Sequence, residues 1–392
     1  MARRFVDARQ LLNYLLDRHE AGIESPIAYP DHAAFPSVPA ADGFARELDE
    51  AEQAGAIFIV RGRGAKREEI RHLRLTAPNV LYCHLGRTPV SRLAEEAYAR
   101  LVDGLTLHPG LVDAASRIAD TWHRARTWNG FGPDDSKKLR GAFMFAQAIL
   151  DNRHVDRDYR TFSRQVAGRS KALERIERIV VRLLRKILDL PPDAEPREVL
   201  RTLGIERFAP PLLIGGPIDL AGADLANASP LYLGLPPKEA ERIRFRQPPG
   251  YLLAIENFAS FNRHLLEADP QRRGAVIYVG GYPSLAMQQA LGVLAGIVPD
   301  GTPMFHWSDI DPDGTWIFRT VEQAVGRPLR PHLMSPEIAE RFGTVPATKA
   351  TITRCPPESG IAQLVEYLAR DDAKTLEQEE LDPRIPPGCE AS

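Results

Sequence analysis

Apolar residues recur along this chain in rhythms that change from one end to the other, and those changes predict its elements. Over residues 5–20, Phe5, Leu11, Leu12, Leu15 and Leu16 fall at helical spacing, and the prolines from Pro26 to Pro39 then break the pattern into a loop. A second helix is predicted over 42–55. The short runs Ala56–Val60, His72–Leu75 and Val80–Tyr82 read as strands, the first followed by the turn Arg61-Gly62-Arg63-Gly64. From about residue 90 to 190 the period is helical, with helices predicted at 90–105, 111–127, 136–151 and 170–188. The last has Ser170 as predicted N-cap and one apolar face of Ile176, Ile179, Val180, Leu183, Leu184 and Ile187. A shorter helix from Tyr159, ended by Gly168, leads into it at helix-turn-helix spacing.

Beyond residue 217 the pattern alternates strands with helices, the mark of a parallel or mixed α/β sheet. Tyr251–Ile255 runs into Glu256-Asn257, Ala275–Val279 into Gly280-Gly281, and Pro303–Trp307 into Ser308-Asp309-Ile310-Asp311-Pro312-Asp313-Gly314. A helix is predicted between the second and third of these, from Leu285 to Gly296. The stretch 191–217, with Pro191-Pro192, Pro210-Pro211 and Gly215-Gly216-Pro217, reads as a domain boundary. The expected organisation is a mixed α/β region over 1–110, a helical, winged-helix-like DNA-binding region over 111–210, and an α/β domain over 211–392.

Composition changes this picture little, but charge does. At 392 residues the chain is too long for one ordinary core, and 44% hydrophobic with 26% charged residues is globular composition. The net charge of −2 gives no global pull toward nucleic acid. Locally, residues 151–190 hold eleven Lys or Arg against six Asp or Glu (11 − 6 = +5), and residues 361–392 hold three against eight (3 − 8 = −5). The basic residues Arg160, Arg164, Lys171, Arg175, Arg178 and Arg182 are therefore candidates for contacts to DNA phosphates; a merely solvated face is the competing reading. The acidic run Glu377-Gln378-Glu379-Glu380 is the one compositionally biased segment, and the Pro-rich tail after it is expected to fray.

The three cysteines, Cys83, Cys355 and Cys389, form no CxxC pair, which argues against a zinc site and against a disulfide framework. No apolar run approaches the roughly 18 residues that cross a bilayer. Neither secretion nor membrane insertion is expected, and a reducing cytoplasm is.

The candidate chemistry lies at the strand ends, where open α/β sheets bind ligands. Glu256, Asp309 and Asp311 supply hard carboxylate oxygens without a His or Cys pattern nearby, a donor set suited to Mg²⁺ or Mn²⁺. Asp309 and Asp311 are two apart, so in an extended segment both carboxylates point to one side. Two other readings compete. One is an ordinary acidic turn; the other is a calcium loop of the helical-hand type, but its twelfth position would be Thr320 instead of Glu and a strand precedes it.

Glu after a first strand, Gly after a second and Asp-x-Asp-x-x-Gly after a third resemble the Toprim domain of topoisomerases, primases and nucleases. Leu231–Pro236, Ile255-Glu256-Asn257-Phe258, Tyr278-Val279-Gly280-Gly281-Tyr282-Pro283-Ser284 and Trp307–Gly314 together are similar to the JetD family, the nuclease subunits of Wadjet anti-plasmid systems. Arg160–Ser163 and Gly168-Arg169-Ser170-Lys171 extend the likeness upstream, although Arg169 stands where Asp is usual and Ser308 where Gly is more frequent. The resemblance implies a topoisomerase VI A-like architecture, with a winged-helix part before the Toprim domain. It further implies Mg²⁺-dependent hydrolysis of double-stranded DNA, a condensin-like partner complex (JetABC) and a homodimer. Glu256 would be the general acid or base, and Glu256, Asp309, Asp311 and Asp313 would surround the metal. The alternatives are a type IIB topoisomerase-like transesterase with Tyr159 as nucleophile, and a non-catalytic DNA-binding adaptor.

Overall fold

The structure, a computed structural model, describes residues 4–390 apart from 65, 66, 68, 156, 208, 209, 222–229, 349, 350, 353 and 354. It divides into two compact units, Met1–Met144 and Phe145–Ser392. The division falls within a helix of the stretch 111–210.

The first unit runs β1 (Arg4–Phe5), α1 (Ala8–Glu20), β2 (Ile27–Pro30), α2 (Val38–Gln53), β3 (Ile57–Arg61), β4 (Ile70–Leu75), α3 (Pro78–Leu85), α4 (Val90–Val102), α5 (Pro109–His123) and the start of α6 (Ser136–Leu150). Its sheet has the order β1-β2-β4-β3 and is mixed, parallel at β1–β2 and antiparallel elsewhere. Leu11, Leu12, Leu15 and Leu16 form the buried face of α1 that the spacing predicts, and they join Leu48, Ile57, Ile59 and Leu73 in one core. Asp7 caps α1 by accepting the Gln10 N–H, which explains why the helix begins three residues later than Phe5.

Two local expectations fail in this unit. The Pro26–Pro39 stretch is not all loop: β2 runs through it and α2 starts at its end, capped by Ser37. Proline fixes φ in a range that extended backbone tolerates, so Pro30 can stand as the last residue of β2. Val80–Tyr82 is not a strand but part of α3, which has Pro78 in its first turn and ends at Gly86 with φ +62°. A three-residue apolar run fits either period, and the proline and glycine at its flanks decide for helix.

The second unit continues with α7 (Tyr159–Ala167), α8 (Glu177–Leu184), α9 (Pro196–Thr202), β5 (Leu212–Gly215), β6 (Ile218–Leu220), β7 (Leu233–Leu235), β8 (Ile243–Phe245), β9 (Leu252–Ile255) and α10 (Phe258–Arg263). Then follow β10 (Ala275–Tyr278), α11 (Leu285–Ile297), β11 (Met304–Trp307), α12 (Pro312–Val325), β12 (Leu329–Pro331), α13 (Pro336–Phe342) and α14 (Ala362–Leu368). The predicted helix 170–188 is interrupted: a short 3-10 turn, Leu173–Arg175, comes first and α8 begins only at Glu177. Ser170 caps nothing. Instead Ser163 Oγ donates to the Arg169 carbonyl at 2.8 Å and accepts the Leu173 N–H at 3.1 Å, holding the chain in a turn.

A six-stranded mixed sheet, β12-β11-β9-β10-β5-β7, forms the centre of this unit. β12, β11, β9 and β10 are parallel; β5 and β7 continue antiparallel. All of Leu252–Ile255 and Met304–Trp307 are buried, as expected of parallel strands covered on both faces. Ile255 pairs with Tyr278 on one side and Trp307 on the other, so β9, β10 and β11 end level. From β9 the chain passes first to β10 on one flank and later to β11 on the other. The carboxyl end of β9 is thus a topological switch point, the place where such sheets open a crevice.

Candidate metal centre and nucleic-acid interface

Glu256 is the first residue beyond β9. Its backbone extends the ladder in both directions, donating to the Trp307 carbonyl at 3.0 Å and accepting the Gly280 N–H at 3.2 Å. Its carboxylate turns toward the loop after β11, where Oε2 accepts the Asp309 N–H at 3.4 Å. Asp309 Oδ1 in turn accepts the Gln378 N–H at 2.6 Å. Asp311 is the N-cap of α12, with Oδ1 accepting the Gly314 N–H at 2.6 Å. Gly314 is required there, because a Cβ would meet the Asp309 carbonyl oxygen at 2.1 Å. Asp313, in the first turn of α12, accepts the hydroxyl of Tyr282.

Burial and mutual repulsion set the electrostatics. Glu256 is pushed up to about 8, by burial first and by Asp309 second, against the opposing Asp309 N–H. Burial lifts Asp309 to about 7, opposed by the Gln378 N–H and helped by Asp311. Asp311 rises to about 6 through burial, with the Gly314 N–H opposing and Asp313 adding to the rise. Burial, and then the bond to Asp313, also raises the Tyr282 phenol. Among the described residues no Lys, Arg or His forms an ion pair with Glu256, Asp309, Asp311 or Asp313. Carboxylates withdrawn from water without an ion-pair partner are costly, and the cost is relieved by taking up a proton or by binding a cation.

The described residues nevertheless contain no group of three acids, histidines or cysteines already converged as a metal cage. Mg²⁺ does not need one, since it keeps several waters and takes one or two carboxylates. Glu256 and Asp309 line an open cleft of about 360 Å³ together with Tyr278, Gly281 and Glu379. Asp311 lines a second cleft of about 210 Å³ with Pro312, Val345, Arg370 and Thr375. The turn after β10 is held by consecutive left-handed residues, Gly280 at φ +74° and Gly281 at φ +72°. Arg201 of α9 fixes it by donating to the Gly280 carbonyl at 3.3 Å and the Tyr282 carbonyl at 2.8 Å.

Glu377–Glu380 lies against the site, Gln378 is 1% exposed, and Asn257 Nδ2 donates to Glu379 Oε1 at 2.5 Å. Sequence reading missed Gln378 and Glu379 because their partners are far away along the chain; only the buried polar position in an acidic run could have hinted at it.

The basic candidates are exposed. Arg160 and Arg164 sit one turn apart on α7, Lys171 is in the turn, Arg175 in the 3-10 segment, and Arg178 and Arg182 one turn apart on α8. Among the described residues none of the six forms an ion pair with a carboxylate. Lys171, Arg175, Arg178 and Arg182 do not share one continuous helix, contrary to expectation. Tyr159 is 4% exposed, its hydroxyl donates to Glu177, and burial raises its phenol far above the ordinary value, with that bond adding to the rise.

Residues 228–385, which contain β7 to β12 and all four acids, match the family model described as Wadjet protein JetD, C-terminal. This part of the chain is similar to the C-terminal region of JetD proteins. A curated relative, the Wadjet protein JetD of Bacillus cereus (strain Q1), is 25% identical over 189 residues. That alignment covers 47% of this chain and 45% of the relative, so the likeness spans less than half of either protein. No helix among the described residues is long and apolar enough to cross a membrane.

Proposed function

We propose that the protein is a divalent-metal-dependent DNA endonuclease with a Toprim-type C-terminal domain, acting in anti-plasmid defence of the Wadjet kind. The observation that carries this is the half-buried set of Glu256, Asp309 and Asp311, without an ion-pair partner among the described residues, at the switch point of a sheet in the JetD-like region.

Asp309 and Asp311 would hold Mg²⁺ or Mn²⁺, each through the oxygen its backbone N–H partner leaves free, with Glu256 facing the same cleft as Asp309 and Asp313 behind Asp311. The ion supplies positive charge for the phosphodiester and activates water. Glu256, with its carboxyl near neutrality at physiological pH, is suited to exchange a proton at Oε1 or Oε2 during hydrolysis. Arg201 keeps the Gly280-Gly281 turn open beside it, where a Cβ-free backbone lets a phosphate approach. Arg160, Arg164, Lys171, Arg175, Arg178 and Arg182 would bind phosphates of double-stranded DNA without reading sequence, in a winged-helix-like setting. Cutting both strands requires two sites, which a homodimer supplies by symmetry. Selectivity for plasmids would come from a condensin-like partner complex.

The test is plasmid nicking with Mg²⁺ or Mn²⁺, with and without the partner complex, comparing wild type with Glu256→Ala and Asp311→Ala. Undiminished cutting by both variants would overturn the site assignment. A second reading, a non-catalytic DNA-binding adaptor, draws on the lack of a preformed three-acid cage among the described residues. Metal binding without cleavage, even with partners and circular DNA present, would favour it.

A further inference from the structure

We infer that Gln378 is a positioning residue of the carboxylate site, setting the spacing between Glu256 and Asp309. The inference rests on the reading of those two acids as parts of one metal-dependent site.

The ladder between β9 and β11 ends at the pair Ile255–Trp307, just before both acids leave the sheet. Beyond that point the two chain segments need another tie, and the C-terminal segment provides it. Leu376 exchanges both backbone bonds with Ile310, the residue between Asp309 and Asp311, at 2.8 and 3.1 Å. Two positions later the Gln378 N–H donates to Asp309 Oδ1 at 2.6 Å. The Gln378 side chain then spans the sheet ends: Oε1 accepts the Asn257 N–H at 2.9 Å, and Nε2 donates to the Trp307 carbonyl at 3.2 Å. Asn257 is the neighbour of Glu256, and Trp307 also accepts the Glu256 N–H at 3.0 Å.

Chemistry restricts what can stand there. The position must accept from one backbone N–H and donate to one backbone carbonyl at fixed reach, inside a site already crowded with acids. A neutral carboxamide on a two-methylene stem does both. Glu would set an oxygen against the Trp307 carbonyl and add a charge, and Asn is one methylene short. The backbone bond to Asp309 also orients that carboxylate, leaving Oδ2 for a cation. Such partners of metal-binding groups are worth on the order of 10–100-fold in metal affinity when removed.

The experiment uses the full chain with Gln378→Met, which keeps length but removes both side-chain bonds, and the milder Gln378→Asn in case the first fails to fold. Mg²⁺ binding is read by calorimetry, and plasmid cutting is followed as a function of Mg²⁺. Tyr367→Phe is the control for loss of stability alone, because its hydroxyl accepts the Lys374 N–H at 3.0 Å in the same C-terminal segment. The expected result is a Mg²⁺ Kd about 10–100-fold weaker in the Gln378 variants but not in the control, with cutting partly restored at high Mg²⁺. A folded Gln378 variant whose Mg²⁺ Kd stays within about twofold of wild type overturns the inference, being far below the loss expected of a positioning partner. So does faster cutting, which would make the segment a cover. If wild type binds no Mg²⁺ the metal reading fails separately. The crystal structure of Gln378→Met then decides: an unchanged 3.4 Å contact between Glu256 Oε2 and the Asp309 nitrogen overturns the positioning role, and a widened one supports it.

Discussion

Glu256 Oε2 accepts the backbone N–H of Asp309 at 3.4 Å, joining residues 53 positions apart at the ends of neighbouring parallel strands. A carboxylate bonded to the backbone of a second acid, with no cation beside either, makes charge the central property of this site. Replacing Glu256 or Asp309 with its amide removes that charge at nearly constant shape. Glu256→Gln and Asp309→Asn are each expected to lower plasmid cutting at least about 100-fold, the scale of losing a general acid or base. Comparable cutting by either variant and wild type in a time course would refute its assignment.

The same pair predicts a pH dependence. Glu256 rises from its ordinary 4.5 to about 8, and Asp309 from 3.8 to about 7. The folded, metal-free protein therefore holds protons that the unfolded chain has already released, and it loses stability as pH climbs toward those folded values. His264, His306 and His332 are lowered by burial and act in the opposite direction, but only below their ordinary 6.5. Between about pH 6.5 and 8.5 in chelator, thermal unfolding should show a loss on the order of 1–2 kcal/mol that Glu256→Gln largely removes. Saturating Mg²⁺ should stabilise more at the upper end of that window than at the lower. Equal stabilisation at both would argue against these acids as its binding site.

Arg178 and Arg182 stand one turn apart on α8, exposed. Charge reversal of both should weaken DNA binding regardless of sequence. It should also flatten the salt dependence, by about 0.9 in slope for each phosphate that the protein no longer neutralises. Binding isotherms at several salt concentrations measure this directly. An unchanged slope would assign the pair to an ordinary solvated face.

Tyr159 donates to the buried Glu177. Tyr159→Phe should leave cutting intact and yield no protein–DNA adduct in either form. It should cost about 1–3 kcal/mol of stability, because Glu177 Oε1 loses its hydrogen bond while Arg197 remains on Oε2. An adduct formed by wild type and missing in this variant, read on denaturing gels, would restore the transesterase alternative.

Gly314→Ala would drive a Cβ to 2.1 Å from the Asp309 carbonyl oxygen. Overpacking of this kind costs about 1–3 kcal/mol. Here it should also weaken Mg²⁺ binding, because the backbone that must move carries Asp309. Wild-type melting and metal affinity together would show that the turn relaxes without consequence.

Much of the second unit is legible in the chain itself. The mainly apolar runs of β9, β10 and β11, the last interrupted by His306, announce buried parallel strands, and Glu256, Gly280 and Asp309 lie just beyond their ends. Pro312 and Gly314 mark the start of α12, and Gly168 the end of α7, through backbone preferences that act within a few residues. Local chemistry of this kind needs no fold to express it. What depended on the tertiary structure was every relation across distance. The strand order places β11 beside β9, and so brings Asp309 to Glu256. The bond network of Ser163 turns the chain and breaks a helix that apolar periodicity alone extends back to Ser170. The acidic segment is folded onto the site, where Gln378 finds three partners far away along the chain. Periodicity records which face of an element is buried, but a hydrogen bond between residues far apart in the chain leaves no periodic trace, and only the packed fold reveals it.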